Sequence, residues 1–357
     1  MHIAVIGVGL IGGSIALAAR ERLGATVAGF DADRGALAAA LQRGALDRSA
    51  ASVQDALDGA DAAFVAVPVG ALPDIVDAVL AAAPDGCVVT DVGSTKRAVV
   101  AAHAGEPRFV GGHPLAGAET AGIEHARADL FEAATWYLTP AETTSGVLLE
   151  RLYRLLRGLG ARPSAIDAEA HDRILAAVSH LPHVLANVLV SQVAQTLGDG
   201  DERIPGTGPS FRDATRVAGA PSAIWTDIYL SNRDALIAQI DDMIARLGIV
   251  RGALAEGHAD AITAWNEGAA VDRRRIVDAQ LGGGPLFELR ASVPNRPGVV
   301  AQLTLELGRA GVNITDMALY PATDMSEGVV ALWVSGEDAA RRTEDLVGAL
   351  GFPVARA

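Results

Sequence analysis

In the N-terminal part of the chain, apolar residues come in short, nearly unbroken runs at His2–Gly7, Thr26–Phe30, Ala62–Val67 and Cys87–Asp91. Between them lie stretches with apolar residues at helical spacing, Ile15–Arg20 and Leu72–Ala82. Runs that are apolar on both faces suit strands covered on both sides, so the alternation predicts a doubly wound parallel sheet. Phe109–Gly111 reads as a further short strand. From Ile166 to about Gln280 the pattern changes to long Ala- and Leu-rich segments with apolar spacing near 3.6, including Ala168–Leu197 and Ala223–Leu247, which predicts a helical domain. Gly282-Gly283-Gly284-Pro285 then breaks the chain. Beyond it the pattern is strand Leu286–Val293, helix Val299–Ala310, strand Val312–Tyr320, strand Gly328–Val334, helix Glu337–Leu350 and a short final strand, a βαββαβ order of ferredoxin-like type. The expected division is 1–165, 166–281 and 285–357.

With 357 residues, half of them hydrophobic, the chain is long enough for two or three domains with proper cores. A lone cysteine, Cys87, excludes an internal disulfide framework, and Met1-His2-Ile3-Ala4-Val5 enters a strand directly without a signal peptide, so a cytoplasmic protein is expected. Apolar runs are expected to be broken by charge or glycine before the length of a membrane span, and a net charge of −14 opposes binding to nucleic acid or anionic lipid. Neither partner is expected.

Candidate chemistry begins at Gly7-Val8-Gly9-Leu10-Ile11-Gly12, which joins the first strand to the first helix. Gly7 permits the tight turn, Gly9 lets backbone approach a pyrophosphate, and Gly12 lets helix pack on strand. The amides at the helix start, Leu10 and Ile11, are left facing the phosphates. The second strand ends at Asp31, placed to bind an adenosine ribose diol and to repel a 2′-phosphate, which favours NAD over NADP, with Arg34 softening the preference. Val67-Pro68 and Asp91-Val92-Gly93-Ser94-Thr95-Lys96 stand at later strand ends, where open α/β sheets bind ligands. Ser94 is either a helix N-cap or an active-site contact.

His113, in Gly111-Gly112-His113-Pro114-Leu115-Ala116-Gly117, is expected in a loop just after a strand, either as a packing residue or acting on a substrate proton. His180 and His183 are spaced like a metal pair, but Pro182 intervenes and no third ligand is evident, so no metal is expected.

The order of these motifs, with Ser179-His180-Leu181-Pro182-His183 and Phe211-Arg212-Asp213-Ala214-Thr215-Arg216, resembles the prephenate and arogenate dehydrogenase family along essentially the whole chain. The resemblance implies NAD-dependent oxidative decarboxylation of prephenate to 4-hydroxyphenylpyruvate in tyrosine biosynthesis, by an enzyme whose helical domain forms a homodimer. It implies that His113 accepts a hydrogen bond from the substrate's ring hydroxyl while Ser94 orients that hydroxyl and the nicotinamide. Arg216 becomes a carboxylate clamp, with Arg212, His183 and Trp225 as weaker substrate contacts and His180 structural. Glu119 matches an active-site acid, although an exposed loop glutamate fits the residue as well, and Ala118 stands where relatives carry a hydroxyl.

Asn295-Arg296-Pro297-Gly298-Val299 and Gly311-Val312-Asn313-Ile314 resemble the signature of ACT domains, so Asn295, Pro297, Gly298, Asn313 and Ile314 are expected to receive an amino-acid effector such as tyrosine, unless the module serves dimerisation alone. An N-terminal chorismate mutase fusion is not expected. Three alternatives stand beside the prephenate reading. Arogenate dehydrogenase runs the same chemistry on an amino analogue. The 3-hydroxy acid dehydrogenases use a middle-domain lysine, which this chain lacks after Lys96. A non-catalytic NAD- and amino-acid-binding regulator would keep the fold as a relic, against which the intact motif residues argue. If His113 must be neutral to act, turnover is expected to rise with pH through roughly 6.5, shifted by its neighbours.

Overall fold

β1 (His2–Ile6) alternates its side chains between two buried layers after exposed His2, which is why the rest of it is apolar: Ile3 and Val5 enter one core, Ala4 and Ile6 the other. The computed structural model describes residues 1–117, 120–197, 208–281, 285–294, 299–312, 314–322 and 326–357. After β1 come α1 (Leu10–Leu23), β2 (Thr26–Phe30), α2 (Arg34–Gln42), β3 (Arg48–Ser49), α3 (Val53–Ala56), β4 (Ala62–Val65) and α4 (Leu72–Ala82). The series continues with β5 (Val88–Asp91), α5 (Arg97–Ala102), β6 (Phe109–Pro114), β7 (Thr135–Thr139), α6 (Gly146–Gly158) and β8 (Arg162–Ala165). The strands form one sheet in the order β3-β2-β1-β4-β5-β6-β7-β8. β1 pairs in parallel with both β2 and β4, so the winding reverses there and opens a crevice at the C-terminal strand ends.

The expected parallel sheet is present, and it is extended at one edge by two strands of opposite sense. β7 runs antiparallel to β6, and β8 is parallel to β7, so the last two strands oppose the rest. β8 holds Pro163, which lacks an amide donor and is tolerated on an outermost strand. Trp136 and Leu138 of β7 fill the first core, together with Leu148, Leu152, Leu155 and Leu156 of α6.

The helical part opens with α7 (Ala168–Leu175), one π-helical turn at Ala176–His180, and α8 (Leu181–Leu197). It continues with α9 (Pro209–Thr215), α10 (Ser222–Ser231) and α11 (Arg233–Glu256). The expected absence of a span-length apolar run fails here. Ala168–Thr196 is one helix long and apolar enough to cross a membrane by length and composition, with mean hydropathy 1.6 and 28% of that window buried. Its polar residues His171, Asp172 and His180 are buried, while Val178, Val188 and Val190 are exposed.

The chain divides into two compact units, Met1–Ala245 and Arg246–Ala357, with the boundary inside α11. The second unit holds the end of α11, α12 (Ala259–Leu281), β9 (Leu286–Pro294), α13 (Val299–Arg309), β10 (Ile314–Pro321), β11 (Glu327–Ser335), α14 (Glu337–Ala349) and β12 (Val354–Arg356). Its four strands lie in the order β10-β11-β9-β12, each pair antiparallel. Leu289, Ala291, Val330 and Leu332 of the sheet pack with Val299, Leu303 and Leu307 of α13 and with Ala340 and Val347 of α14.

Candidate active site

At the end of β1 the backbone turns with Gly7 at φ +93°, a conformation that L side chains avoid. A Cβ on Gly7 would lie 2.3 Å from the Ala66 carbonyl oxygen, and one on Gly12 would lie 1.9 Å from that of Gly7, so both positions require glycine. Gly9 differs, because a Cβ there would meet nothing within 4 Å. The missing side chain leaves open space over the start of α1, as a pyrophosphate cradle needs. Beyond Gly9 a cavity of about 450 Å³ is lined by Asp31, Asp33, Gly35, Gly122, Ile123 and Glu124. The Val8 amide donates to Asp31 Oδ2 at 2.7 Å and the Asp33 amide to Asp31 Oδ1 at 2.8 Å, fixing the carboxylate at the strand end. These residues fit a dinucleotide with an unphosphorylated ribose.

Across the sheet a cavity of about 770 Å³ is lined by Ser94, His113, Ser179, His180, Arg216 and Trp225, among others. A neighbouring cavity of about 540 Å³ shares Arg216 and Trp225 and adds His183. The His183 ring stacks on Trp225, with centroids 3.4 Å apart and an interplanar angle of 26°. His113 is not in a loop, as expected, but in β6. The strand continues to Pro114 because β7 pairs with it, with Tyr137 opposite His113. The chemistry therefore rests on a ladder position. The π turn does similar service for Ser179 and His180, since the wider turn breaks the regular helical register at the cavity wall.

Behind His113 lies a buried polar chain. His113 Nδ1 is 2.9 Å from His171 Nε2, and His171 Nδ1 is 2.8 Å from Asp172 Oδ1. Asp172 also accepts the backbone amides of Lys96 at 2.7 Å and Arg97 at 2.9 Å. Burial raises the Asp172 carboxyl, but the hydrogen bonds from His171 and the two amides outweigh it and leave it below the usual carboxylate value. Nearby, Lys96 pairs with Asp91, both side chains fully enclosed. Burial is the main force lowering the His113 pKa well below 6.5, reinforced by the neighbouring charges of His171, Lys96 and His180. Burial also brings His180 down to about 4, against a partial opposing pull from Asp172. His183 is lowered by burial and then by the Arg216 cation.

A family model for the prephenate dehydrogenase nucleotide-binding domain matches residues 15–164, and one for the prephenate dehydrogenase dimerization domain matches residues 167–266. The prephenate dehydrogenase of Bacillus subtilis (strain 168) is 32% identical over 354 residues, covering 97% of this chain and 95% of that one. The chain belongs to the prephenate dehydrogenase family. Its reaction is the NAD-dependent oxidation of prephenate, and the chain is an oxidoreductase. Among solved structures, the prephenate dehydrogenase of A. aeolicus in complex with hydroxyphenyl propionate and NAD+ superposes with a TM-score of 0.72 at 26% identity, covering 77% of this chain and 98% of that one. The Synechocystis arogenate dehydrogenase gives 0.67 at 27% identity, covering 77% and 100%.

Within this prephenate dehydrogenase fold, Ser94, His113, Arg216 and Trp225 meet at one cavity, and His183 reaches the adjoining one through Trp225. Ser94 does not cap a helix. α5 starts at Arg97, and Asp172 from α7 takes its first amides. Leu10 and Ile11 open α1 as expected, and half-buried Val67 and exposed Pro68 follow β4 without lining the described cavities. Arg212 is exposed on α9 and lines none of the described cavities. Glu119, Asn295, Pro297, Gly298 and Asn313 lie outside the described residues, while Ile314 opens β10. Sequence reasoning missed His171, Asp172 and Glu124. A helical reading of Ala168–Leu175 showed no reason to bury a histidine and an aspartate together, and nothing in the spacing linked Glu124 to Asp31.

Proposed function

We propose that His113, Ser94 and Arg216 divide the work on prephenate. His113 accepts the hydrogen bond of the ring hydroxyl at its cavity-facing side, Ser94 orients that hydroxyl, and Arg216 holds a substrate carboxylate. NAD, held beside Gly9 and Asp31, would supply the hydride acceptor for the ring carbon that bears the hydroxyl. As that oxygen becomes a carbonyl its proton passes to His113; the ring carboxylate leaves as carbon dioxide, its electron pair restoring aromaticity, and His113 returns the proton to the phenolate oxygen, giving 4-hydroxyphenylpyruvate. The observation that carries this reading is a buried imidazole kept neutral on the wall of a cavity that a guanidinium also lines. Trp225 and His183 support the reading as a stacked pair along the same wall, with Glu119 and Arg212 as outer contacts.

The test is NADH formation with prephenate and arogenate offered separately, each with NAD and with NADP. Turnover with prephenate and NAD is expected. Arogenate is the second reading, favoured by the likeness to the Synechocystis enzyme, and a preference for it would replace the first. Silence in all four mixtures would return the chain to a non-catalytic regulator.

Two further assignments are part of this reading. Residues 166–281 are read as the part that pairs two copies of the chain. Support comes from exposed Val188, Ile237 and Ile244 in the first unit, and from Ile249, Leu254 and Trp265 in the second. That pairing, rather than a membrane, is taken to cover the apolar helix, in keeping with a cytoplasmic enzyme. Residues 285–357 are read as an ACT domain that receives tyrosine, supported by the βαββαβ order and the β10-β11-β9-β12 sheet. Inhibition by added tyrosine that disappears on deleting 285–357 is the expected result.

A further inference from the structure

His113 has two ring nitrogens, and the proposed reaction needs a lone pair on the one that faces the substrate. Its other nitrogen, Nδ1, is 2.9 Å from His171 Nε2, with the rings at 70°. His171 Nδ1 is 2.8 Å from an Asp172 oxygen that also accepts the Lys96 amide, and the second Asp172 oxygen takes the Arg97 amide. A carboxylate whose partners are all N–H groups is an acceptor, so His171 Nδ1 carries the proton there. A neutral His171 then has only a lone pair at Nε2, and His113 Nδ1 must donate to it. The order of donors leaves the lone pair of His113 on Nε2.

Asp172 is itself held. Two amides at the start of α5 receive its carboxylate, Asn232 Nδ2 donates to its carbonyl oxygen at 2.7 Å, and the same Nδ2 lies 3.2 Å from His180 Nδ1. His171 is fully enclosed, with Tyr137 edge-on at 5.6 Å. The groups facing this chain are Asp91 and Lys96 from the end of β5 and beyond, His180 from the π turn, and His171 with Asp172 from α7.

We propose that His171, backed by Asp172, is a positioning residue that fixes His113 in the tautomer protonated at Nδ1 and so presents the Nε2 lone pair to the substrate cavity. It is a histidine–histidine–aspartate version of the arrangement in which a carboxylate orients a general base, where the wrong tautomer costs turnover even with geometry intact. The inference rests on the reading of His113 as the hydroxyl acceptor, but the geometry of the chain stands apart from it.

The experiment is nitrogen NMR on the full-length protein with labelled histidine, at a pH where histidines are neutral, with His113 assigned by the spectrum of His113→Asn. The expected result is a protonated Nδ1 and an unprotonated Nε2 at His113. A protonated Nε2, as an ion pair of His171 with Asp172 would produce, overturns the proposal. In parallel, His171→Leu is expected to lower kcat by roughly 10- to 100-fold, with the prephenate KM within about twofold. His171→Gln, whose amide can accept from His113 and donate to Asp172, is expected to restore most of the loss. A Leu variant with unchanged kcat overturns the proposal, and should that variant fail to fold, the tautomer in the unmodified protein decides. If His113→Ala keeps full turnover while the tautomer is as stated, the acceptor reading fails and the chain of hydrogen bonds does not.

Discussion

Lys96 and Asp91 form an ion pair with both side chains fully enclosed, at the point where β5 gives way to the loop bearing Ser94. Asp91 has further partners in the Gly93 amide at 2.8 Å and the Gly112 amide at 3.1 Å, so one carboxylate ties β5 to the strand that carries His113. Among the described residues the lysine ammonium is paired with Asp91 alone. Burial lowers its pKa, and the Asp91 and Asp172 carboxylates oppose the fall. Removing either partner alone strands the other in a water-free site. Lys96→Met is therefore expected to cost about 3–5 kcal/mol of stability, the usual result of breaking an enclosed pair. Urea unfolding of the variant beside the parent measures it, and a loss below about 1 kcal/mol would show that water reaches Asp91.

The same lysine bears on pH. The role proposed for His113 needs its unprotonated form, and burial with the charges of His171, Lys96 and His180 depresses its pKa well below 6.5. A depressed pKa extends the unprotonated form to lower pH, so the acid limb of kcat lies well below 6.5. The shift by neighbours expected from the sequence is thus downward. Measured from about pH 5 to 8, kcat with prephenate should stay flat across 6.5, and a titration centred there would assign the base to a less enclosed group. His113→Ala should lose about 10²- to 10⁴-fold in turnover while NAD binding survives.

Arg216 lines the same cavity as Ser94 and His113, and its charge is felt by His183. If it clamps a carboxylate, Arg216→Ala should raise the prephenate KM by roughly 30-fold or more with a smaller effect on kcat, because charge-assisted contacts of this kind are worth at least about 2 kcal/mol. Arg212→Ala, four residues earlier on an exposed face, should change KM less than about threefold. Equal effects of the two substitutions would remove the clamp from Arg216.

How much of this was legible in the chain depends on the range of the contacts. The strand, glycine turn and helix at 2–23 declare themselves locally, since Gly7 and Gly12 are required by backbone a few residues away. The Ser179–His183 segment was visible through its motif, but the π turn that opens it was not. The His113–His171 contact was not, because it joins residues 58 apart, and burial is set by how α7 docks on β6 and α5. β7 and β8 escaped notice for a related reason. Thr135–Thr139 and Arg162–Ala165 are too short for periodicity to mark them, and only the pairing of β7 with β6 and of β8 with β7 makes them strands.

Acid stability should report the histidine enclosure independently of activity. His180 is 1% exposed, and burial, with added repulsion from His171 and His183, outweighs the pull of Asp172 and lowers its pKa from 6.5 to about 4. Below pH 6.5 the unfolded chain takes up a proton that the folded protein refuses. Stability is thus intact above 6.5 and falls as pH drops toward 4, by on the order of 3 kcal/mol from this group. His180→Gln should flatten that part of the stability curve, and an unchanged slope would show that the ring is solvated on opening of the cavity.

Cofactor choice follows from a cluster that spacing alone did not disclose. Asp31, Asp33 and Glu124 line one cavity next to Gly9, the place for the adenosine ribose in this fold. The Asp31 oxygens are engaged by the Val8 and Asp33 amides and Asp33 Oδ1 by the Gly35 amide, so both carboxylates are held where they stand. Glu124 arrives from the 3₁₀ turn Ile123–His125, whose Ile123 packs against the space over Gly13. A 2′-phosphate entering this cavity meets three negative charges, each unfavourable and each weakened by salt because the site is open. Glu124→Gln should therefore raise kcat/KM for NADP by roughly threefold or more while leaving that for NAD nearly unchanged, since the ribose diol relies on Asp31. Added salt should favour NADP in the parent enzyme and do so less in the variant. Equal gains for both cofactors would mean that Glu124 acts on the packing of its turn, and the discrimination would then rest on Asp31 and Asp33.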